Sequence, residues 1–121
     1  MAISLHHAQV VYQPGGEAKA RDFYTKGLGL AEIERPATLA RRDGRWFEAG
    51  QGQVHLSAQE DLALHGRRHF ALKVDDFDAR RCYCGVREAQ TPSRRGRRPP
   101  PEYVFDPSGN KIELDEIPAK R

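Results

Sequence analysis

The sequence predicts an α+β fold built from one βαβββ unit used twice. Three observations predict it. A strand pattern carrying a histidine near its start recurs half a chain apart, as Leu5-His6-His7-Ala8-Gln9-Val10-Val11-Tyr12 and as Arg67-Arg68-His69-Phe70-Ala71-Leu72-Lys73-Val74. Each copy leads into a segment with one apolar helical face and a glycine stop. Each helix then gives way to short extended segments punctuated by Gly, Asp and Pro, the mark of a meander. The copies occupy residues 3–57 and 67–117 of a single domain, with 58–66 as linker.

In the first copy the spacing predicts a helix from Glu17 to Lys26. Ala20, Phe23 and Tyr24 fall at i, i+3 and i+4, and Glu17 and Arg21 form an i, i+4 ion pair of the favourable order. Gly27 supplies the left-handed stop, with Leu28 as the apolar residue beyond it. Extended segments follow at Leu30–Glu34, Ala37–Arg41, Arg45–Glu48 and Gln53–Ser57, with turns at Asp43-Gly44 and Gly50-Gln51-Gly52.

The second copy repeats the plan. Asp75 and Asp76 offer an N-cap, and Asp78 suits the positive helix start. Ala79, Cys82 and Tyr83 form the apolar face, and Gly85 followed by Val86 ends the helix as Gly27 and Leu28 end the first. This helix is four residues shorter, about one turn. Strands are expected at Val86–Ala89, Glu102–Phe105 and Lys111–Asp115, the last two joined by the turn Asp106-Pro107-Ser108-Gly109-Asn110.

Composition narrows the function. The chain has 121 residues, net charge +3 and 38% hydrophobic residues, a single globular domain by size and too apolar for disorder. No apolar run reaches the ~18 residues of a membrane span, and the N-terminus lacks the charged and apolar regions of a secretory signal. Cys82 and Cys84 are too close in sequence to staple a domain and read as packing residues. A cytoplasmic location and no membrane partner are expected. The basic excess lies in Arg94-Arg95-Gly96-Arg97-Arg98, flanked by prolines. It reads as a solvated loop, or as a cover for an anionic substrate. No aromatic platform is interleaved with the arginines, so no nucleic-acid partner is expected.

Strand alternation selects the candidate site. His55 faces away from Val54 and Leu56, and Glu113 faces away from Ile112 and Leu114. His7 shares a face with Gln9 and Val11, and His69 with Ala71 and Lys73. His7 and His69 lie on the first strand of each copy, His55 and Glu113 on the last. A pseudo-two-fold relation between the copies lets these strands converge. Two histidines and a carboxylate with open positions suit a divalent ion, and Fe, Mn, Zn and Ni all remain open. His6 is the rival to His7, and His65 falls in the linker.

These features resemble the vicinal oxygen chelate superfamily, the glyoxalase/bleomycin-resistance/extradiol-dioxygenase group. The carriers are the histidine-bearing first strand, Phe23-Tyr24-Thr25-Lys26-Gly27-Leu28-Gly29-Leu30, His69-Phe70-Ala71-Leu72-Lys73-Val74-Asp75-Asp76, and Asp106-Pro107-Ser108-Gly109-Asn110-Lys111-Ile112-Glu113-Leu114. The resemblance implies paired modules forming a U-shaped mixed sheet around a cavity, with His7, His69 and Glu113 as metal ligands. The fourth ligand position is His55, where glyoxalase I-like members carry a glutamate. His55 is therefore the candidate fourth ligand or catalytic acid or base. The three-residue set is closer to fosfomycin-resistance thiol transferases and extradiol dioxygenases. The implied function is lyase, transferase or dioxygenase-type chemistry on a small substrate with vicinal oxygens. The alternative is a metal-free protein that sequesters a small molecule, as bleomycin-resistance proteins do. The resemblance also implies a homodimer, and leaves open whether modules exchange across its interface.

Overall fold

The computed structural model describes residues 2–39, 43–61, 68–75, 87–89 and 102–117. Among the described residues, eight strands form two four-stranded mixed sheets. In the first, β1 (His7–Tyr12), β2 (Ala31–Ile33), β3 (Gly44–Ala49) and β4 (Gly52–Ala58) lie in the order β1-β4-β3-β2. In the second, β5 (Phe70–Val74), β6 (Arg87–Ala89), β7 (Glu102–Phe105) and β8 (Lys111–Glu116) lie in the order β5-β8-β7-β6. The orders are equivalent strand for strand. In each sheet the first strand runs parallel to the last, and the remaining pairs are antiparallel.

Register carries the equivalence down to single residues. Val54 and Leu56 sit beside Ala8 and Val10, and Ile112 and Leu114 sit beside Phe70 and Leu72. The four last-strand residues are 2% exposed or less and belong to one core cluster with Tyr12, Tyr24, Leu28, Phe47 and Val104. Each such side chain contributes about 1.5–3 kcal/mol when fully buried. Alternation sends His55 and Glu113 to the opposite face.

Between β1 and β2 the chain forms α1 (Glu17–Asp22) and then a wide π-turn over Phe23–Gly27. Helical structure thus extends past the expected end, and the stop is not Gly27. The Leu28 N–H bonds to the Phe23 carbonyl, five residues back, and the left-handed residue is Gly29 at φ +78°. The wider turn lets Phe23, Tyr24 and Leu28 all reach the core on one side.

Three local expectations are corrected. Ala37–Leu39 is a 3-10 turn closed by Leu39 N–H to the Pro36 carbonyl, because Pro36 presets a turn. Gly44 opens β3 instead of forming a hairpin turn, and a Cβ there would stand 2.6 Å from the Leu56 carbonyl oxygen. Glu17 pairs with Arg45 and not Arg21, while Arg21 pairs with Glu32. Arg45 bridges Glu17 and Glu32 at 2.6 and 2.9 Å, and holds the Glu17 carboxyl below its ordinary range. The second helix, Cys82, Cys84, His65 and the Arg94–Arg98 cluster lie outside the described residues.

The turn 106–110 joins the two modules. Asp106 is 4% exposed. Its Oδ2 accepts from the Tyr24 hydroxyl at 2.7 Å and from Asn110 Nδ2 at 2.8 Å. Its Oδ1 accepts the backbone N–H groups of Ser108 and Asn110, both at 2.9 Å. Asn110 Nδ2 also donates to the Val11 carbonyl at 2.7 Å. The β7–β8 turn is thereby bonded to both the helix and β1 of the first module.

Candidate functional site

The four candidate residues come together as two pairs, one on each sheet. On the first, the His7 ring stacks on His55 with centroids 3.9 Å apart and planes 15° from parallel. Trp46 covers the other face of His55, 3.9 Å away and only 1° from parallel. The register dictates this sandwich, since Trp46 on β3 is the direct cross-strand neighbour of His55. His55 is consequently 4% exposed.

Burial, first, and the nearby imidazoles of His7 and His6 depress its pKa from 6.5 to about 4. His55 is therefore neutral at pH 7. Its Nε2 lies 2.7 Å from the Gln53 amide oxygen. That oxygen only accepts, so Nε2 carries the proton and Nδ1 keeps the lone pair. His6 stands beside the pair, with its Nδ1 2.8 Å from that of His7. Its backbone carbonyl accepts the Gln53 N–H at 3.0 Å.

On the second sheet His69 Nε2 lies 3.1 Å from Glu113 Oε1. Tyr103, the cross-strand neighbour of Glu113, meets the His69 ring edge-on at 5.1 Å. Lys111 Nζ sits 4.1 Å from the centre of the Tyr103 ring. A cavity of about 400 Å³ opens where β1 approaches the starts of β5 and β8, and His69 lines it.

Trp46 and Tyr103 escaped the sequence reading. They occupy equivalent cross-strand positions beside His55 and Glu113. The available signal was alternation against the core residues Phe47 and Val104, but it becomes specific only once the register is fixed.

The donor chemistry fits a divalent ion. His69 Nε2 and Glu113 Oε1 stand 3.1 Å apart, the distance of a hydrogen bond or ion pair between them. Neutral imidazole and carboxylate are suitable donors. Among the described residues, no three His, Cys, Asp or Glu side chains converge as a metal-binding group. One chain thus presents the set as two pairs.

The sequence model of the Glyoxalase/Bleomycin resistance protein/Dioxygenase superfamily matches residues 5–114. The chain belongs to that superfamily. Among solved structures, a putative glyoxalase family protein from Bacillus anthracis is 30% identical, with 98% of each chain covered and a TM-score of 0.80. A glyoxalase/dioxygenase from Nostoc punctiforme is 25% identical over 96% of this chain and 92% of that one, with a TM-score of 0.69. The E126Q mutant of the fosfomycin resistance protein FosX from Listeria monocytogenes was solved with Mn(II) and 1S,2S-dihydroxypropylphosphonic acid. It is 15% identical over 95% of this chain and 93% of that one, at a TM-score of 0.72, and so shares the fold. No curated protein matches the sequence.

Within the glyoxalase superfamily frame, His55 occupies on β4 the place that Glu113 occupies on β8. His7 opens β1 and His69 stands one residue before β5, each two residues ahead of the register partner of His55 or Glu113, Gln9 and Ala71. No helix among the described residues is long and apolar enough to cross a membrane.

Proposed function

We propose that this glyoxalase-superfamily protein is a divalent-metal-dependent enzyme acting on a small substrate with vicinal oxygens. The observation that carries the reading is the 3.1 Å approach of His69 Nε2 to Glu113 Oε1, on the sheet equivalent to the one that pairs His7 with His55. His69, Glu113 and His7 would hold the ion, with His55 as fourth ligand or as base. Mn(II) is a suitable test ion, given the Mn(II) complex of FosX, and Fe, Zn and Ni suit the same donors.

When bound, the ion supplies Lewis-acid stabilisation of negative charge developing on the substrate oxygens. The protein's own groups divide the remaining tasks. Tyr103 packs the edge of His69 and limits the positions its ring can take. Trp46 and His7 keep His55 dry and neutral, so its Nδ1 lone pair is unprotonated at pH 7 and suited to a metal ion. Gln53 fixes the tautomer through Nε2.

The assembly belongs to the same proposal. A homodimer that faces the His7–His55 pair of one protomer toward the His69–Glu113 pair of its partner completes the donor set. Mixing tests it. Dimers of a His7→Ala protomer with a Glu113→Gln protomer recover one intact site if the pairs meet across the interface, and none if each chain completes its own. The expected setting is the cytoplasm, with a small-molecule substrate.

Elemental analysis of purified protein, repeated on His69→Ala, tests the function. About one divalent ion per protomer is expected in the parent, and near zero in the variant. A metal-free parent that regains no ion on dialysis would falsify the enzyme reading and leave a small-molecule sequestering protein.

A further inference from the structure

Among the described residues, three large apolar side chains stand exposed: Ile3 at 89%, Leu5 at 81% and Ile117 at 47%. They are not scattered. The Gln53 N–H bonds to the His6 carbonyl, so the β1–β4 ladder reaches back past the start of β1. Leu5 lies two residues before His7 and shares its face, and Ile3 lies two further out. The Ile117 N–H bonds to the Val74 carbonyl, which carries the β5–β8 ladder one residue past β8. Ile117 therefore shares the face of Glu113, four residues before it. All three side chains flank one of the two donor pairs, and their exposure shows that they do not cover one another within the chain.

The adjoining sheet edge is open as well. Even-numbered residues of β1 direct their backbone groups to β4, ending at the Tyr12 carbonyl, which accepts the Gln59 N–H at 2.9 Å. Odd-numbered residues point to the other edge. There Asn110 Nδ2 donates to the Val11 carbonyl and Ser108 Oγ accepts the Gln13 N–H. Among the described residues nothing bonds the backbone of His7 or Gln9 on that edge. An edge closed at one end and open at the other is a template for a second chain.

We propose that residues 2–6 form an arm that docks on a second copy of this chain, with Ile3 and Leu5 packed against the partner's Ile117. The proposal rests on the dimer described above, in which the His7–His55 pair faces the His69–Glu113 pair of the partner. That assembly brings the face of Leu5 onto the face of Ile117. With a two-fold axis across the strands, β1 runs antiparallel to β8 of the partner, and the chain before His7 runs beside the chain after Glu113. Symmetry makes the contact twice, so three apolar side chains of each copy leave water. The contact flanks His7 on one copy and Glu113 on the other, and so closes one side of the site against solvent. Glu113 and Asp115 on the Ile117 face disfavour a lipid surface as the occupant, since carboxylates are costly to bury there.

Cross-linking tests the contact directly. Two full-length chains are co-expressed in a Cys82→Ser/Cys84→Ser background, one with Leu5→Cys and the other, tagged, with Ile117→Cys. Bismaleimidoethane should join the two chains to each other and give little product from either chain alone. A chain carrying both cysteines should cross-link between copies, and a cross-link confined within one chain overturns the proposal. In sedimentation equilibrium, Ile3→Ser/Leu5→Ser and Ile117→Ser should each raise the dimer Kd at least about tenfold. Combining them should cost less than the product of the separate effects, because both break one contact. Far-ultraviolet circular dichroism checks that each variant is folded. An unchanged Kd in either variant, or a parent that is monomeric at micromolar concentration, overturns the proposal, whatever else covers the arm. Calorimetry with Mn(II) separates this from the metal reading. Cross-linking between copies of a protein that takes no ion sinks the metal reading and keeps the arm; ion binding without that cross-link sinks the arm and keeps the metal reading.

Discussion

Protonation of His55 should be readable from the single tryptophan of the chain. Trp46 is that residue, and its ring lies parallel to the His55 imidazole at 3.9 Å. An imidazolium so placed quenches indole emission, whereas the neutral ring does not. The pKa of His55 falls from 6.5 to about 4, first by burial and then through the imidazoles of His7 and His6. That gap is equivalent to about 3 kcal/mol favouring the neutral ring in the folded state. Because the native value lies below the unfolded one, this contribution to stability is complete above pH 6.5. It is lost as pH falls through about 4. The assay is emission intensity against pH on metal-free protein, with far-ultraviolet circular dichroism on the same samples to show that the fold persists. The quenching step should centre near pH 4 and vanish in His55→Gln. A step centred near pH 6.5 in folded protein refutes the desolvated sandwich.

Two other perturbations probe the scaffold that holds the site. Tyr24→Phe removes the 2.7 Å hydroxyl bond to buried Asp106 and should cost about 1.5–3 kcal/mol in urea unfolding, as charged hydrogen bonds do; a loss below about 0.5 kcal/mol would mean that the inter-module bond is unimportant. Gly44→Ala forces a Cβ to 2.6 Å from the Leu56 carbonyl oxygen, so β3 must shift against β4 at an expected cost of about 1–3 kcal/mol, and an unchanged urea midpoint would contradict that approach.

The architecture was legible because alternation and repetition are properties of the chain itself. Val54-His55-Leu56 and Ile112-Glu113-Leu114 declare which side chain leaves the core without any knowledge of neighbours. The same logic assigned His7 and His69 to equivalent strands. What escaped depends on neighbours in space. The π-turn at Phe23–Gly27 displaces the left-handed residue from Gly27 to Gly29, because Phe23, Tyr24 and Leu28 all bury. Arg45 outcompetes Arg21 for Glu17, since its guanidinium reaches across from β3 with two nitrogens, at 3.1 and 2.6 Å. The ring sandwich around His55 requires the β3–β4 register, and local sequence leaves that register open.

The central claim is that His69 and Glu113, joined by His7, hold a divalent ion. Calorimetric titration of Mn(II) into parent, Glu113→Gln and His6→Ala proteins addresses it most directly. Glu113→Gln keeps the side-chain shape and removes the charge that would meet the ion. The account predicts micromolar or tighter binding by the parent and affinity at least about tenfold weaker for Glu113→Gln. His6→Ala should bind much as the parent does. Binding no tighter than millimolar by the parent, or equal binding by Glu113→Gln, would contradict the account.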